Sequence, residues 1–327
     1  MHVLITGAAG MIGRKLTERL ARDGALNDQA ITALTLLDVV PPAKPASFAG
    51  RVPLITGDLA EAGTAEKAIV PRPAVIFHLA GVPSGGAEID FTLGYHANMD
   101  GLRALLEAVR RAASGYRPKI VYSSSMAVFG APFPPSIPDD FHLTPLTSYG
   151  SAKAIAELLL ADYTRRGFCE GVGLRLPAIC VRPGKPNRAA SGVFSSIIRE
   201  PLAGEEALLT IPEDVLHTHA SPRAAVRYLL HAASLPQAAL GPRINLSMPG
   251  VSCTVGEQIA ALRRIAGERV AARIRRAVDP LVATIVAGWP ERADAARARE
   301  LGFTPETSFD EIVRIHIEDE LGGRYVA

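Results

Sequence analysis

The 327-residue sequence is poor in the residues that staple small folds or mark unusual partners. It holds three cysteines, Cys169, Cys180 and Cys253, an odd number with no CxxC pair among them. That pattern argues against a disulfide framework and a structural zinc site, and predicts three buried small hydrophobes in a reducing cytoplasm. No run of 18 apolar residues occurs, and the opening MHVLITGAAG has no charged segment ahead of an apolar one. Neither a membrane span nor a secretory leader is expected. An excess of one charge is missing too, since 35 Lys and Arg stand against 33 Asp and Glu, with no basic tail or stripe. Nucleic acid and membrane surfaces are therefore not expected partners. The histidines at 78, 96, 217, 219 and 231 are scattered without ligand spacing, so no metal is expected.

What is present reads as an ordinary globular chain, 48% hydrophobic and 21% charged. Its length exceeds the roughly 100 to 200 residues of a typical domain, so one large or two interlocked domains are expected. Short runs rich in Val, Ile and Leu, at 2–6, 32–37, 52–56, 74–79, 119–124 and 172–176, alternate with helix-length amphipathic stretches. Those stretches fall at 11–23, 64–69, 90–112, 148–166 and 221–234, the fourth capped by Thr147 or Ser148. The alternation predicts an α/β doubly wound parallel sheet over residues 1–177, to which 221–247 returns. A smaller, mostly helical C-terminal lobe over 178–327 would complete it. FGAPFPPSIPDDFHLTPL, at 129–146, carries five prolines and reads as a long loop after the fifth strand.

The first chemical signal is TGAAGMIG, residues 6–13, directly after the first strand and at the head of a helix. Glycine costs a helix about 1 kcal/mol against alanine, so Gly7, Gly10 and Gly13 need a reason. A strand, a GxxGxxG turn and a helix supply one: Gly7 makes the turn, Gly10 lets backbone approach a pyrophosphate, and Gly13 lets the helix pack closely. The helix start at Met11 and Ile12 then offers N–H groups and the positive dipole end to phosphate. Asp38 ends the second strand, where a carboxylate binds both hydroxyls of an adenine ribose and repels a 2′-phosphate, favouring NAD over NADP. Asp58 and Leu59, after the third strand, would flank the adenine.

The second signal is SYGSAKAIAE, in which Tyr149 and Lys153 stand four apart and share one helix face. A phenol is a weak base at neutral pH unless a neighbouring ammonium stabilises its phenolate. VYSSSMAVFG, at 121–130, runs a strand into serines, placing hydroxyls at the carboxyl end of the sheet where open α/β folds bind ligands.

Taken together, TGAAGMIG, Asp38, GDL (57–59), HLAG (78–81), Asn98 in HANMDG, SSSMAVFG and YGSAK resemble the extended short-chain dehydrogenase/reductase family, which has a Rossmann fold and includes the nucleotide-sugar epimerases and dehydratases. The resemblance implies Tyr149 as acid/base, Lys153 orienting the nicotinamide ribose, Ser125 (or else Ser124) polarising the substrate, and Asn98 supporting the relay. It also implies that Leu79, Ala80, Gly81, Pro177 and Ile179 line the cofactor, and that the helices at 90–112 and 148–166 pair two subunits into a homodimer.

Nucleotide-sugar members grip a diphosphate with an Arg in an R-D-F-x-H motif, and Val215 stands at that place here. LRLPAICVRPGKPNR also departs from those enzymes, bringing Arg182, Lys185 and Arg188. Arginine suits a carboxylate better than a neutral sugar. HLAGVPSGG, SMAVFGAPFP and HTHASPRAAV are similar to the erythronate-oxidising group of the family, whose members act on C2 of a four-carbon sugar acid. The expected substrate pocket is Ser84, Ser125, Tyr149, Arg182 and Arg223, with Arg182 or Arg223 clamping the carboxylate. A nucleotide-sugar epimerase or dehydratase with tightly held NAD, or a uronate dehydrogenase, is the alternative. A non-catalytic binding protein is disfavoured by the joint presence of Ser125, Tyr149 and Lys153.

Overall fold

The computed structural model describes residues 1–112, 115–184 and 190–327, so Lys185 and Arg188 lie outside the described residues. Seven strands form the central sheet: β1 (His2–Thr6), β2 (Ala33–Asp38), β3 (Leu54–Thr56), β4 (Val75–His78), β5 (Lys119–Ser125), β6 (Glu170–Leu176) and β7 (Asn245–Ser247), in the spatial order β7-β6-β5-β4-β1-β2-β3. The pairs β1–β2, β1–β4, β2–β3 and β4–β5 are parallel, with Ile5 beside Leu36 and Phe77. Burial on both faces explains the unbroken apolar run in β2, where Ala33 to Leu37 are all buried. β3 lies at the edge, with only Ile55 buried, and it is shorter than the apolar run at 52–56 predicts. Successive strands are added to one side of β1 up to β3 and to the other side from β4 onward. The carboxyl ends of β1 and β4 therefore border the crevice where such sheets take their ligands.

The helix Met11–Asp23 follows β1 as predicted and ends at Gly24. Ser148–Arg165 is capped by Thr147, whose hydroxyl accepts the Gly150 N–H at 3.0 Å. The stretch predicted as one helix over 90–112 is instead three pieces, Phe91–Tyr95, a π-helical His96–Asp100 and Gly101–Arg111, with a further short helix, Ser84–Ile89, ahead of them. Asp90 divides Ser84–Ile89 from Phe91–Tyr95, its backbone extended and its carboxylate accepting the Leu93 N–H at 2.9 Å.

Two compact units emerge. The first is Met1–Val128, Pro145–Arg175 and Val226–Leu246. Its core takes in Val3, Leu4, Ile76, Phe77, Leu105, Leu106, Ile120 and Val121. The second is Phe129–Thr144, Leu176–Ala225 and Ser247–Ala327, so the proline-rich loop after β5 belongs to it. It is less purely helical than its sequence suggests. Leu216–Ala220 pairs with Val251–Thr254 and Ala178–Ile179, and Ala207–Leu209 pairs with Ile274–Arg276. Around these lie Phe194, Ile197, Ile198, Ile259, Leu262, Ile312 and Val313 as a separate core.

All three cysteines are buried and unbridged, and burial pushes the Cys169 thiol up to about 11 and those of Cys180 and Cys253 to about 12. Among the described residues no helix is long and apolar enough to cross a membrane, and no cluster of His, Cys, Asp and Glu could hold a metal ion.

Candidate active site

The glycine turn at the end of β1 separates packing from binding. Gly7 has φ +75°, and a Cβ there would stand 2.6 Å from Ala80 N. A Cβ at Gly13 would collide with the Gly7 carbonyl. Gly10 is different: it is exposed, and its Cβ would meet only Gly7 O at 3.2 Å. Packing does not require glycine there, whereas close approach of a phosphate group does. Gly10 caps the helix through no side chain, and Met11 and Ile12 form its first turn. Asp38 stands beside this turn, one carboxylate oxygen accepting the Ala9 N–H at 2.8 Å and the other the Val40 N–H at 3.3 Å. The cradle therefore fits a dinucleotide, with a carboxylate at its ribose end.

Asp58 caps its own turn through the Ala60 N–H at 2.9 Å and lies 3.1 Å from His96 Nε2. His96 opens the π-helical stretch. Leu59 is buried, and a Cβ at Gly101 would touch it at 3.7 Å, so this side chain packs against the helix.

Asn98 sits in the middle of the π turn, 1% exposed. Its Oδ1 accepts the Val82 N–H at 3.2 Å, and its Nδ2 donates to Gly94 O at 3.0 Å and Val82 O at 3.3 Å. A Cβ on Gly81 would strike that same Oδ1. Leu79, Ala80 and Gly81 are thus pressed between the Gly7 turn and the Asn98 amide. π turns recur at functional sites because the wider coil redirects a side chain that a regular helix would turn away.

Tyr149 and Lys153 lie on one face of Ser148–Arg165, with Lys153 Nζ 5.6 Å from the centre of the Tyr149 ring. Lys153 is buried and donates to Ser123 O at 2.8 Å, its ammonium 4.8 Å from the Tyr122 ring centre. Desolvation lowers its pKa to about 8, against an opposing pull from Glu157. The helix approaches β5 closely, since a Cβ on Gly150 would collide with the Ala127 carbonyl.

The three serines at the end of β5 separate by what they touch. Ser123 donates to His78 O at 3.3 Å. Ser124 is buried and donates to Glu157 Oε1 at 2.6 Å. Ser125 is partly exposed, and its oxygen accepts the Ala127 N–H at 3.1 Å, which leaves its hydroxyl proton able to serve a substrate oxygen. Beneath them, Thr6 Oγ1 lies 2.8 Å from His78 Nδ1, and burial lowers the His78 pKa to about 3. This imidazole is neutral at working pH.

Three partners of this centre escape a motif reading. Glu157 is fully buried and receives Arg175 from β6 through Nε at 3.0 and 3.1 Å and Nη2 at 2.9 Å. Glu88 accepts the Ser148 N–H at 2.6 Å and so anchors the head of the helix that carries Tyr149 and Lys153. Glu157 had one usable signal, its position eight residues after Tyr149 on the same face.

The substrate candidates are dispersed. Ser84 opens the helix Ser84–Ile89. Pro177 and Ile179 belong to the second unit, where Ile179 pairs with Ala220. There Arg182 donates from Nε to Ile179 O at 3.1 Å, and its carbonyl accepts Arg199 Nη1 at 2.7 Å. Arg223 does not suit the clamp, because its guanidinium is taken by Asp319 and by Glu318 at 3.1 Å. Two carboxylates already balance that charge.

Residues 3–242 match the NAD dependent epimerase/dehydratase family. The chain is 46% identical to a D-erythronate dehydrogenase of Cupriavidus necator over 98% of both chains. It is 38% identical to one of Haemophilus influenzae over 98% of this chain and all of that one. A crystal structure described as a nucleoside-diphosphate-sugar epimerase from Agrobacterium tumefaciens superposes with TM-score 0.97 at 57% identity, covering 99% of this chain and 95% of that one. With its family signatures gathered around one glycine turn and one Tyr–Lys helix, this chain belongs to the NAD dependent epimerase/dehydratase family, and its cofactor is NAD.

Proposed function

We propose that the protein is a dehydrogenase that oxidises a small sugar acid, D-erythronate at C2, to the 2-oxo-tetronate. The near full-length similarity to two D-erythronate dehydrogenases supports this reading. The observation that carries it against the epimerase description of the Agrobacterium relative is Val215. Where nucleotide-sugar enzymes need a cation for diphosphate, this chain has an apolar side chain packed against the core of the second unit.

In this reading Gly10 and the helix start at Met11 and Ile12 hold the pyrophosphate on the turn that Gly7 and Gly13 allow to close, and Asp38 takes the adenine ribose hydroxyls. NAD, when bound, accepts the hydride that leaves C2. Tyr149, as phenolate, removes the proton of the C2 hydroxyl, so the C2–O bond becomes a carbonyl as the C2–H pair departs. Ser125 donates to the same oxygen and Lys153 stabilises the phenolate. Arg182 keeps the place of carboxylate clamp, with Ser84 beside the substrate, and Arg223 is released from it. We assign the protein to the cytoplasm, as its three free thiols suggest. We read it as a homodimer, because Phe91, Leu93, Ile155 and Leu158 are exposed apolar residues on the two helical stretches expected to pair subunits.

The test is NADH formation by purified protein against four- to six-carbon aldonates, uronates and UDP-sugars, with NAD and NADP in parallel. D-erythronate turned over with NAD alone is the expected result. Conversion of a UDP-sugar without net NADH would overturn it in favour of an epimerase, and preference for a uronate would move the substrate.

A further inference from the structure

Tyr149, Lys153 and Glu157 recur every fourth residue on one face of the helix Ser148–Arg165, so the acid/base face continues inward to a carboxylate with no solvent exposure. Glu157 is held by Arg175, whose side chain is 8% exposed, through a bidentate pair. Its Oε1 also receives Ser124, the residue between Ser123, whose carbonyl binds Lys153, and Ser125, the proposed substrate donor. One buried ion pair thus touches the strand that carries the substrate hydroxyl and shares a helix face with the ammonium and the phenol.

Stability is a poor reason for this arrangement, because apolar side chains of similar volume replace buried ion pairs with no loss or with a gain. A serine hydroxyl and a lysine-bearing face directed at the same pair are better explained by the chemistry above it. We propose that Glu157 and Arg175 are positioning residues that balance the electric potential at Lys153 and Tyr149 while fixing the end of β5 through Ser124. This rests on the dehydrogenase reading for what Tyr149 does, but the charge balance is a property of the protein alone.

The signs are definite. In Glu157→Gln the Arg175 charge is unbalanced, which favours the Tyr149 phenolate and disfavours the Lys153 ammonium, so both ionisations move to lower pH by about one unit. In Arg175→Met the unbalanced carboxylate acts oppositely, and both move to higher pH. The double variant Glu157→Gln/Arg175→Met removes both charges and returns the ionisations to within a few tenths of a unit of wild type.

The experiment is a spectroscopic titration of tyrosinate absorbance in the NAD-free protein, taken as the difference from the corresponding Tyr149→Phe background, alongside the pH profile of kcat/KM. Opposite shifts in the two single variants with recovery in the double variant establish the proposal. Lower melting temperature or lower kcat with all ionisations unmoved overturns it, and leaves the pair as packing. If either single variant fails to fold, the double variant against Ser124→Ala decides. The double variant must keep the wild-type ionisation, and Ser124→Ala must lower kcat without moving it; any other pattern overturns the proposal. Because the titration needs no substrate, failure of D-erythronate turnover with the shifts intact would remove the functional reading and not this one.

Discussion

Arg175 in the first unit and Arg223 in the second both grip carboxylates, and their surroundings make them different devices. Arg175 closes a fork on Glu157 in the interior, whereas the Arg223 side chain is 43% exposed and shared between Glu318 and Asp319 at the surface. Water screens the second pair and is excluded from the first. A charge pair at the surface is a local convenience worth about 0 to 1 kcal/mol. In the interior, removing either partner strands the other, at about 3 to 5 kcal/mol. In the proposed reaction the electrostatics that bear on proton transfer lie in the sheet unit, and an exposed, already paired arginine such as Arg223 is a weak guide to the site.

The largest expected effect sharpens that contrast. Tyr149→Phe should lower kcat by at least about 10² to 10⁴-fold while NADH still binds, as measured by steady-state rates and nucleotide fluorescence. Loss of NADH binding in that variant would mean that Tyr149 supports the cofactor and not the proton. Next come the two arginines under chemical denaturation. Arg175→Ala should lose about 3 to 5 kcal/mol and Arg223→Ala less than about 1 kcal/mol. Equal losses would break the comparison.

Two glycines of one turn give a smaller pair of effects. Gly13→Ala forces a methyl group into the Gly7 carbonyl and should cost about 1 to 3 kcal/mol of stability. Gly10→Ala should leave the melting temperature nearly unchanged yet weaken NADH about tenfold, a loss of about 1.4 kcal/mol in binding. Calorimetric melting and nucleotide titration of both variants separate the two roles.

The effect that is smallest near neutral pH concerns acid. Burial lowers His78 to about 3 in the first unit and His217 to about 4 in the second, below the ordinary value of 6.5. The unfolded chain therefore binds protons that the folded chain refuses, and stability falls as pH drops from about 6.5 towards 4. His217→Gln should flatten that slope in urea titrations. An unchanged slope would assign the acid sensitivity to the other buried histidines, His78 and His219, which burial also holds below the ordinary value.

Legibility divides along similar lines. The glycine turn, Asp38, Tyr149 and Lys153 could be read because their chemistry fixes residue type and spacing within one short segment. In the sequence the choice of Ser125 over Ser124 rests on the family resemblance alone, and the physical difference between them, the bond that commits Ser124 to Glu157, shows only in the fold. Glu157 and Arg175 are 18 residues apart and meet only because the helix lies beside β6. The break at Asp90 and the π turn at 96–100 leave the apolar spacing of a helix nearly intact, so periodicity reads straight through them. Arg223 misled because a cation in a suggestive motif looks the same whether or not distant carboxylates have claimed it.

The π turn has one more consequence. An added residue in a helix rotates everything after it by about 100° relative to everything before. Asn98 and the buried trio Leu102, Leu105 and Leu106 are in register only because the chain carries that extra step between Phe91–Tyr95 and Gly101–Arg111. A surface loop can change length by one residue with little effect, but this segment cannot. Its length works like a tooth count on a gear, and shortening it by one would bring either the amide or the leucines to the wrong side.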